Sequence, residues 1–286
     1  MKRLMILLAA LLLCVPHARA DGTADEWAMI LAALASDVPN PVPTEYQFET
    51  PDPSPAPGKD PQVMNLLLLG TDAEDMARNR GRSDVMLVCS VRRDTGAITL
   101  TALPETAMAP VDGLPGPVRL KYVNCFGGPL LAMRQVNRLL GLNVERYCAV
   151  NYASFILTVD TLGGVELELS AQECEAVGVP EHTRLLQGEQ ALRYVKLRWG
   201  EAVTDRPRKL LDAVHAQLRR ASADTVFSLA ETLLSALDTN ITTSDLMDLL
   251  FILTDPQADE PLRTEALSEA LSWQENAALI QSWLYP

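Results

Sequence analysis

Histidine is scarce in this sequence. His17, His182 and His215 are the only three in 286 residues, and no two stand at a spacing that suits zinc or a nucleophile–base pair. Zinc chemistry and His-assisted nucleophilic catalysis are therefore unsupported. Cysteine is nearly as sparse: there are five, and none lies in a C-x-x-C pair. Cys89 and Cys148 fall inside apolar runs and read as buried thiols, and a domain this large does not need disulfides. Aromatic residues make up 5% of the chain while 48% is hydrophobic, so the core is aliphatic and fits a helix-rich α/β protein. Positive charge is also in deficit. Against 37 Asp and Glu stand 24 Lys and Arg, a net −13, which excludes non-specific nucleic-acid binding. An anionic substrate would have to be drawn by a local arginine cluster or by a metal.

The longest apolar run, Leu4 to Val15, is too short for a membrane span of about 20 residues. Lys2 and Arg3 precede it and Ala18-Arg19-Ala20 follows, a small-x-small cleavage signature, so residues 1–20 read as a signal peptide, with an uncleaved signal-anchor as the alternative. Cys14 lacks the small neighbours a lipoprotein signal would need. Cleavage would remove three basic residues and no acidic one, taking the net charge from −13 to near −16. Residues 21–61 form a proline-rich linker with a short helix predicted over Asp25 to Ala35, and the folded domain is expected over 62–286.

Met64 to Ser90 organises that domain. Leu66–Leu69 is an apolar run that reads as a strand buried on both faces, and it ends at Gly70-Thr71-Asp72. A charged loop, Glu74 to Arg82, leads to Ser83-Asp84 and a second apolar run. Asp72 thus leaves one strand where Arg82 and Asp84 enter the other. Strand ends are where α/β sheets place ligand chemistry. Two carboxylates and a guanidinium there suit a divalent metal with a phosphate, although the same charges suit a solvated surface loop.

Further strands are predicted at Val85–Val91, Ala97–Leu103, Tyr147–Val150 and Val165–Leu169, the first two of these in one sheet with Leu66–Leu69. Helices are predicted from Pro129 to Leu140, capped by Gly141, and over Phe155–Leu162, Gln187–Lys196 and a basic segment after Pro207. The last ~65 residues read as mainly helical, over Thr225–Leu237, Ser244–Leu253 and Pro261–Leu284, the last broken near Trp273.

Six motifs in register over residues 62 to 220 resemble the LytR-CpsA-Psr family of cell-envelope proteins. They are Leu67-Leu68-Leu69-Gly70-Thr71-Asp72, Gly81-Arg82-Ser83-Asp84, Phe126-Gly127-Gly128, Thr161-Leu162-Gly163-Gly164-Val165, Leu186-x-Gly188-x-Gln190-Ala191-Leu192-x-Tyr194, and Lys196, Arg198 with Asp205-x-x-Arg208. The resemblance implies a three-layer α/β/α fold with a central mixed sheet, an apolar lipid pocket and a helical C-terminal part. It implies an extracytoplasmic, Mg²⁺-dependent phosphotransferase, secreted or anchored at the membrane surface. Such an enzyme moves an anionic glycopolymer of the teichoic acid or capsule class from polyprenyl pyrophosphate to peptidoglycan. By that resemblance Asp72 and Asp84 would hold the metal, Arg82, Asp84, Arg198 and Arg208 would be catalytic, and Lys196 and Asp205 would bind substrate.

The sequence departs from the family pattern at several points. Where Ser-Ile-Pro-Arg-Asp is usual, Ala102-Leu103-Pro104-Glu105-Thr106 stands, a charge reversal at Glu105. Leu211 and Asp212 replace an Arg-Gln pair, Ala73-Glu74 stand where an arginine is usual, with Arg78 or Arg80 as candidates to substitute for it, and Lys196 replaces an arginine and loses its bidentate fork. The alternative to an active transferase is therefore a module of the same fold that binds a polyprenyl phosphate or an envelope partner without chemistry.

Overall fold

The computed structural model describes residues 52–56, 60–73, 80–197, 209–210, 213–214, 237–242, 244–245, 248–249 and 263–285. Its centre is strand β1 (Val63–Thr71), in which all nine residues are buried. Alternation along a strand sends successive side chains to opposite faces. Leu66 and Leu68 enter one apolar cluster, and Leu67 and Leu69 enter another on the far side. A continuous leucine run is what a strand covered on both faces requires. Each fully buried leucine contributes about 1.5–3 kcal/mol of transfer free energy.

β1 pairs antiparallel with β2 (Ser83–Arg92), which continues antiparallel into β3 (Ile98–Ala102). On its other side β1 runs parallel to β6 (Val144–Val150), which carries β9 (Asp238–Thr239) at the edge. β10 (Arg263–Ala266) joins β3 in parallel and completes a mixed six-stranded sheet ordered β10-β3-β2-β1-β6-β9. Two short hairpins lie outside it: β4 (Met108–Ala109) with β5 (Val118–Arg119), and β7 (Val165–Glu166) with β8 (Leu185–Leu186).

Helix α1 (Val123–Leu140) and helix α5 (Trp273–Leu284) cover the Leu67/Leu69 face, through residues such as Met133, Val136 and Ile280. Helices α2 (Tyr152–Thr161), α3 (Ala171–Val177) and α4 (Gly188–Lys196) cover the Leu66/Leu68 face through Phe155, Val159, Cys174, Ala191 and Tyr194. The result is the expected α/β/α arrangement around a mixed sheet. Cys89, Cys148 and Cys174 are buried thiols, and Cys125 is partly exposed.

Several elements differ from the sequence reading. Residues 263–266, expected inside a helix, form the edge strand β10. The open edge of β3 offers their backbone a ladder, and that pairing outweighs the helical periodicity of the segment. Helix α5 starts only at Trp273, where Ser272 and Glu275 form a reciprocal capping box. The same device, Ser170 with Glu173, opens α3, a helix too short to show in the apolar periodicity. α1 begins six residues before Pro129. It is bent at Gly128 (φ 69°), and Pro129 starts its second segment. The strand expected over Val165–Leu169 shortens to β7. Part of the proline-rich stretch already packs on the domain: the Ala56 N–H donates to the Leu142 carbonyl at 2.8 Å, and Asn137 Nδ2 to that of Pro53 at 2.9 Å. Residues 1–20, 25–35 and 225–236 lie outside the described residues. Among the described residues no helix is long and apolar enough to cross a membrane.

Candidate functional site

The site forms where β1 ends and β2 begins. The β1–β2 register shifts between Gly70 and Thr71 and brings Thr71 opposite Ser83. The next residue out is Asp72, whose N–H donates to the Arg82 carbonyl at 3.1 Å. Its carboxylate accepts the Arg82 N–H on Oδ1 at 2.6 Å and Arg82 Nε on Oδ2 at 2.6 Å. Arg82 Nη2 lies 2.5 Å from the same Oδ2. One edge of the guanidinium is thereby fixed, while 43% of the side chain stays exposed. Burial works against its charge, but the Asp72 carboxylate, with Asp84 and Tyr122 adding to it, offsets this and raises the Arg82 pKa.

Asp84 is far less accessible, at 7% side-chain exposure, and its oxygen Oδ1 faces Lys121 Nζ at 3.8 Å. Desolvation pushes its pKa up and Arg82 pulls it down. Asp72 adds a rise, Lys121 a further fall, and Glu105 a last small rise. Glu105 follows β3 and lies at this rim, its carbonyl accepting the Lys121 N–H at 2.8 Å. Lys121 sits in a 3₁₀ turn (Leu120–Tyr122), so one short turn delivers a cation to a corner that also holds Asp72, Asp84 and Glu105.

The loop ahead of Arg82 is pinned from α1. Asn124 Nδ2 donates to the Arg80 and Gly81 carbonyls, the latter at 3.0 Å, and Cys125 Sγ donates to Gly81 O at 3.1 Å. Gly81 has φ +36°, and a Cβ there would stand 2.4 Å from Thr71 Oγ1 and 2.5 Å from the Ala73 nitrogen. Only glycine fits that turn. Arg80 passes over Gly128, with Nη1 3.4 Å from the Phe126 carbonyl, which gives the Phe-Gly-Gly motif its physical role.

Parallel pairing of β1 with β6 brings Asn151 beside Ala73, where Asn151 Nδ2 donates to the Ala73 carbonyl at 3.1 Å, and Tyr152 follows as the first residue of α2. Lys196, at the end of α4, lies over the Tyr152 ring with Nζ 3.4 Å from its centroid. Asp72, Arg82 and Asp84 thus share one corner, and Lys196 stands at the same end of the sheet. Arg198, Asp205 and Arg208 lie outside the described residues, as do Leu211 and Asp212. Lys121, Asn124 and Tyr152 were missed in the sequence. The only trace of the first is a lone lysine between the buried Leu120 and Val123.

The donor set fits a divalent cation in a restricted way. Both Asp72 oxygens are engaged by Arg82, whereas among the described residues Asp84 has one ion pair, the long contact to Lys121. Among the described residues no group of three His, Cys, Asp or Glu could hold a metal ion. Asp84 would suit Mg²⁺ shared with phosphate oxygens of a substrate, which is how Mg²⁺ commonly binds.

A model of the LytR_cpsA_psr family matches residues 33–280. The chain is 27% identical over 202 residues to a protein of Oceanobacillus iheyensis named polyisoprenyl-teichoic acid–peptidoglycan teichoic acid transferase TagU, covering 67% of this chain and 62% of that one. It spans about half to three fifths of the length of the curated relatives it matches. Among solved structures it resembles B. subtilis TagV, with TM-score 0.58, 17% identity, and 79% and 98% of the two chains covered. It also resembles the LytR-CPS2A-psr family protein YwtF (TagT) with bound octaprenyl pyrophosphate lipid, with TM-score 0.54, 19% identity, and 84% and 95% covered. At these identities the two structures establish the fold.

Proposed function

The chain belongs to the LytR_cpsA_psr family, and on that premise we propose that it is an extracytoplasmic glycopolymer phosphotransferase. Its donor would be an anionic polymer of the teichoic acid class linked to polyprenyl pyrophosphate, and its acceptor a peptidoglycan hydroxyl. The relative named as a teichoic acid transferase and the octaprenyl pyrophosphate bound to TagT support this substrate class. The observation that carries the proposal is the Arg82 guanidinium, locked along one edge by Asp72 and open along the other, beside the buried Asp84.

Phosphoryl transfer asks a protein mainly for positioning and for neutralisation of charge. Arg82 would fork onto phosphate oxygens with its open edge, and Asp72 keeps that edge aimed. Lys196 would add a second cation from α4, with Arg198 and Arg208 as further candidates and Asp205 as a substrate contact. Asp84 and substrate phosphates would together hold Mg²⁺, which would neutralise the charge that develops on the pyrophosphate. The acceptor hydroxyl oxygen would attack the phosphorus that carries the glycopolymer, the bridging P–O bond would break, and polyprenyl monophosphate would leave as the hydroxyl gives up its proton. The apolar layer around Leu66 and Leu68 is the proposed seat of the polyprenyl tail, and residues 1–20 the proposed export signal.

The test is transfer of a labelled polymer from polyprenyl pyrophosphate to peptidoglycan by wild type and Arg82→Ala, with and without chelator. Transfer by wild type that falls at least tenfold in the variant is expected. Equal transfer by both would remove Arg82 from the site. A second reading, lipid binding without chemistry, draws on Glu105, whose negative charge acts on Asp84 where an anion would have to sit. Tight lipid binding with no transfer under any metal condition would select it.

A further inference from the structure

Lys196 stands where the family pattern has arginine. A lysine ammonium is a compact charge on a flexible stem and lacks the planar fork that orients a guanidinium. Something else must fix its direction if it is to meet a phosphate at a defined place. Its Nζ lies 3.4 Å from the centroid of the Tyr152 ring. Both residues are half-buried, and Tyr152 packs against the Leu66/Leu68 cluster.

The backbone holds both partners firmly. Tyr152 is the first residue of α2, whose N-cap Asn151 is in a reciprocal capping box with Ser154. Asn151 also donates to the Ala73 carbonyl at 3.1 Å, one residue beyond Asp72. Lys196 closes α4, after which Leu197 leaves in extended backbone (φ −62°, ψ 129°). α4 is tied to α2 by the Gly188 N–H, which donates to Asp160 Oδ1 at 2.7 Å. The ring, the ammonium and the Asp72–Arg82 corner thus belong to one hydrogen-bonded frame.

We propose that Tyr152 is a positioning residue whose ring holds the Lys196 ammonium at the end of β6, as the second cation for a diphosphate whose first is Arg82. The proposal rests on the pyrophosphate reading above. The ring does for lysine what a planar fork does for arginine: it removes rotamers before the ligand arrives. A hydroxyl is not needed for this, but an aromatic face is.

The experiment is a titration with octaprenyl pyrophosphate in detergent, using wild type, Tyr152→Phe and Tyr152→Leu, each also in a Lys196→Met background, with thermal melts alongside. Tyr152→Phe is expected within about twofold of wild type, and Tyr152→Leu about three- to thirtyfold weaker, the range of a cation–π contact. In the Lys196→Met background, Tyr152→Leu should cost nothing further. An equal loss in both backgrounds, or no loss in either, overturns the proposal. A wild type that does not bind the lipid instead removes the pyrophosphate reading, and this inference with it. If Tyr152→Leu does not fold, reductive ¹³C-methylation of wild type decides. The Lys196 methyl resonance, assigned by its disappearance in Lys196→Met, should be shifted upfield by the ring, and an ordinary lysine shift overturns the proposal.

Discussion

The backbone N–H and the Nε of Arg82 both end on the Asp72 carboxylate, each at 2.6 Å, on different oxygens. One side chain therefore fixes both the loop and the cation that the loop carries. An aspartate used this way is first an orienting group, and the metal-ligand role inferred for it by resemblance would draw on lone pairs left over.

Asp72→Asn and Asp72→Ala should separate these roles. Asparagine keeps an oxygen for the Arg82 N–H but loses the charge, and alanine loses both. Lipid affinity should fall about tenfold in the alanine variant, since a charge-assisted contact is worth about 1.5–3 kcal/mol when buried and less at this exposure. The asparagine variant should fall between alanine and wild type in both affinity and melting temperature. Identical behaviour of all three in calorimetric titration would mean that Asp72 does not orient Arg82.

Gly81→Ala should be more damaging than its size suggests. The added Cβ would meet Thr71 Oγ1 at 2.4 Å and the Ala73 nitrogen at 2.5 Å, at φ +36°. Neither neighbour can withdraw, because Thr71 closes β1 and the Ala73 N–H donates to Thr71 Oγ1 at 3.2 Å. A loss of about 2 kcal/mol or more is expected in urea melts, with impaired lipid binding. Wild-type stability in the alanine variant would show that the loop can rearrange freely.

Much of this was legible in the sequence because it is local. Leu66–Leu69 announces a strand covered on both faces, and it is one. Asp72, Arg82 and Asp84 are joined by a strand pair whose ends the turn residues mark, so their proximity follows from the register. Lys121 and Tyr152 were not legible. Each reaches the corner through pairing distant in sequence, Lys121 by the Glu105 carbonyl and Tyr152 by the parallel β1–β6 ladder. β10 was hidden for the same reason, since an edge strand of four residues is decided by its partner and not by its own periodicity. The capping boxes at Ser170 and Ser272 are local and are written in the sequence as Ser-x-x-Glu.

Asp84→Asn should stabilise the ligand-free protein at neutral pH. The Asp84 carboxyl is held above its ordinary value by burial first, with Asp72 and Glu105 adding to the rise against Arg82 and Lys121. A group whose folded pKa is raised favours the folded state while it carries its proton. Its contribution is fully present below the unfolded value and is lost as pH rises through the folded one. At neutral pH the buried charge is therefore a cost, which asparagine removes. A melting temperature a few degrees higher at pH 7 is expected, at about 2–4 °C per kcal/mol for a domain of this size, with the gap closing toward pH 4. The comparison must be between variant and wild type. Asp245 behaves oppositely: burial raises its pKa, but hydrogen bonds from Arg146 and Thr242 hold it down to about 2, so every variant loses stability in acid. A variant less stable than wild type at pH 7 would mean that Lys121 compensates the buried charge in full.

Glu105→Arg addresses whether the corner is an enzyme's or a binder's. In the wild type three carboxylates, Asp72, Asp84 and Glu105, stand together with Arg82 and Lys121, so among these five groups negative charge is in excess by one. An anion is then held more tightly when a divalent cation comes with it, and carboxylates suit Mg²⁺. Lipid binding by wild type should accordingly depend strongly on divalent metal. Glu105→Arg changes the local charge by two units at a position whose backbone is already fixed by Lys121. It should raise affinity for polyprenyl pyrophosphate and reduce the metal dependence. The gain should be largest at low ionic strength, because screening shortens the reach of partly exposed charges to about 10 Å at 0.1 M salt. The measurement is a titration of both proteins at two salt concentrations, with and without Mg²⁺. Wild type that binds equally well in chelator, together with a substitution that changes nothing, would place Glu105 outside the ligand's field. Higher affinity in the variant without any gain in transfer would show that the charge reversal restores the grip but not the chemistry, and would favour a lipid-binding role for the natural protein.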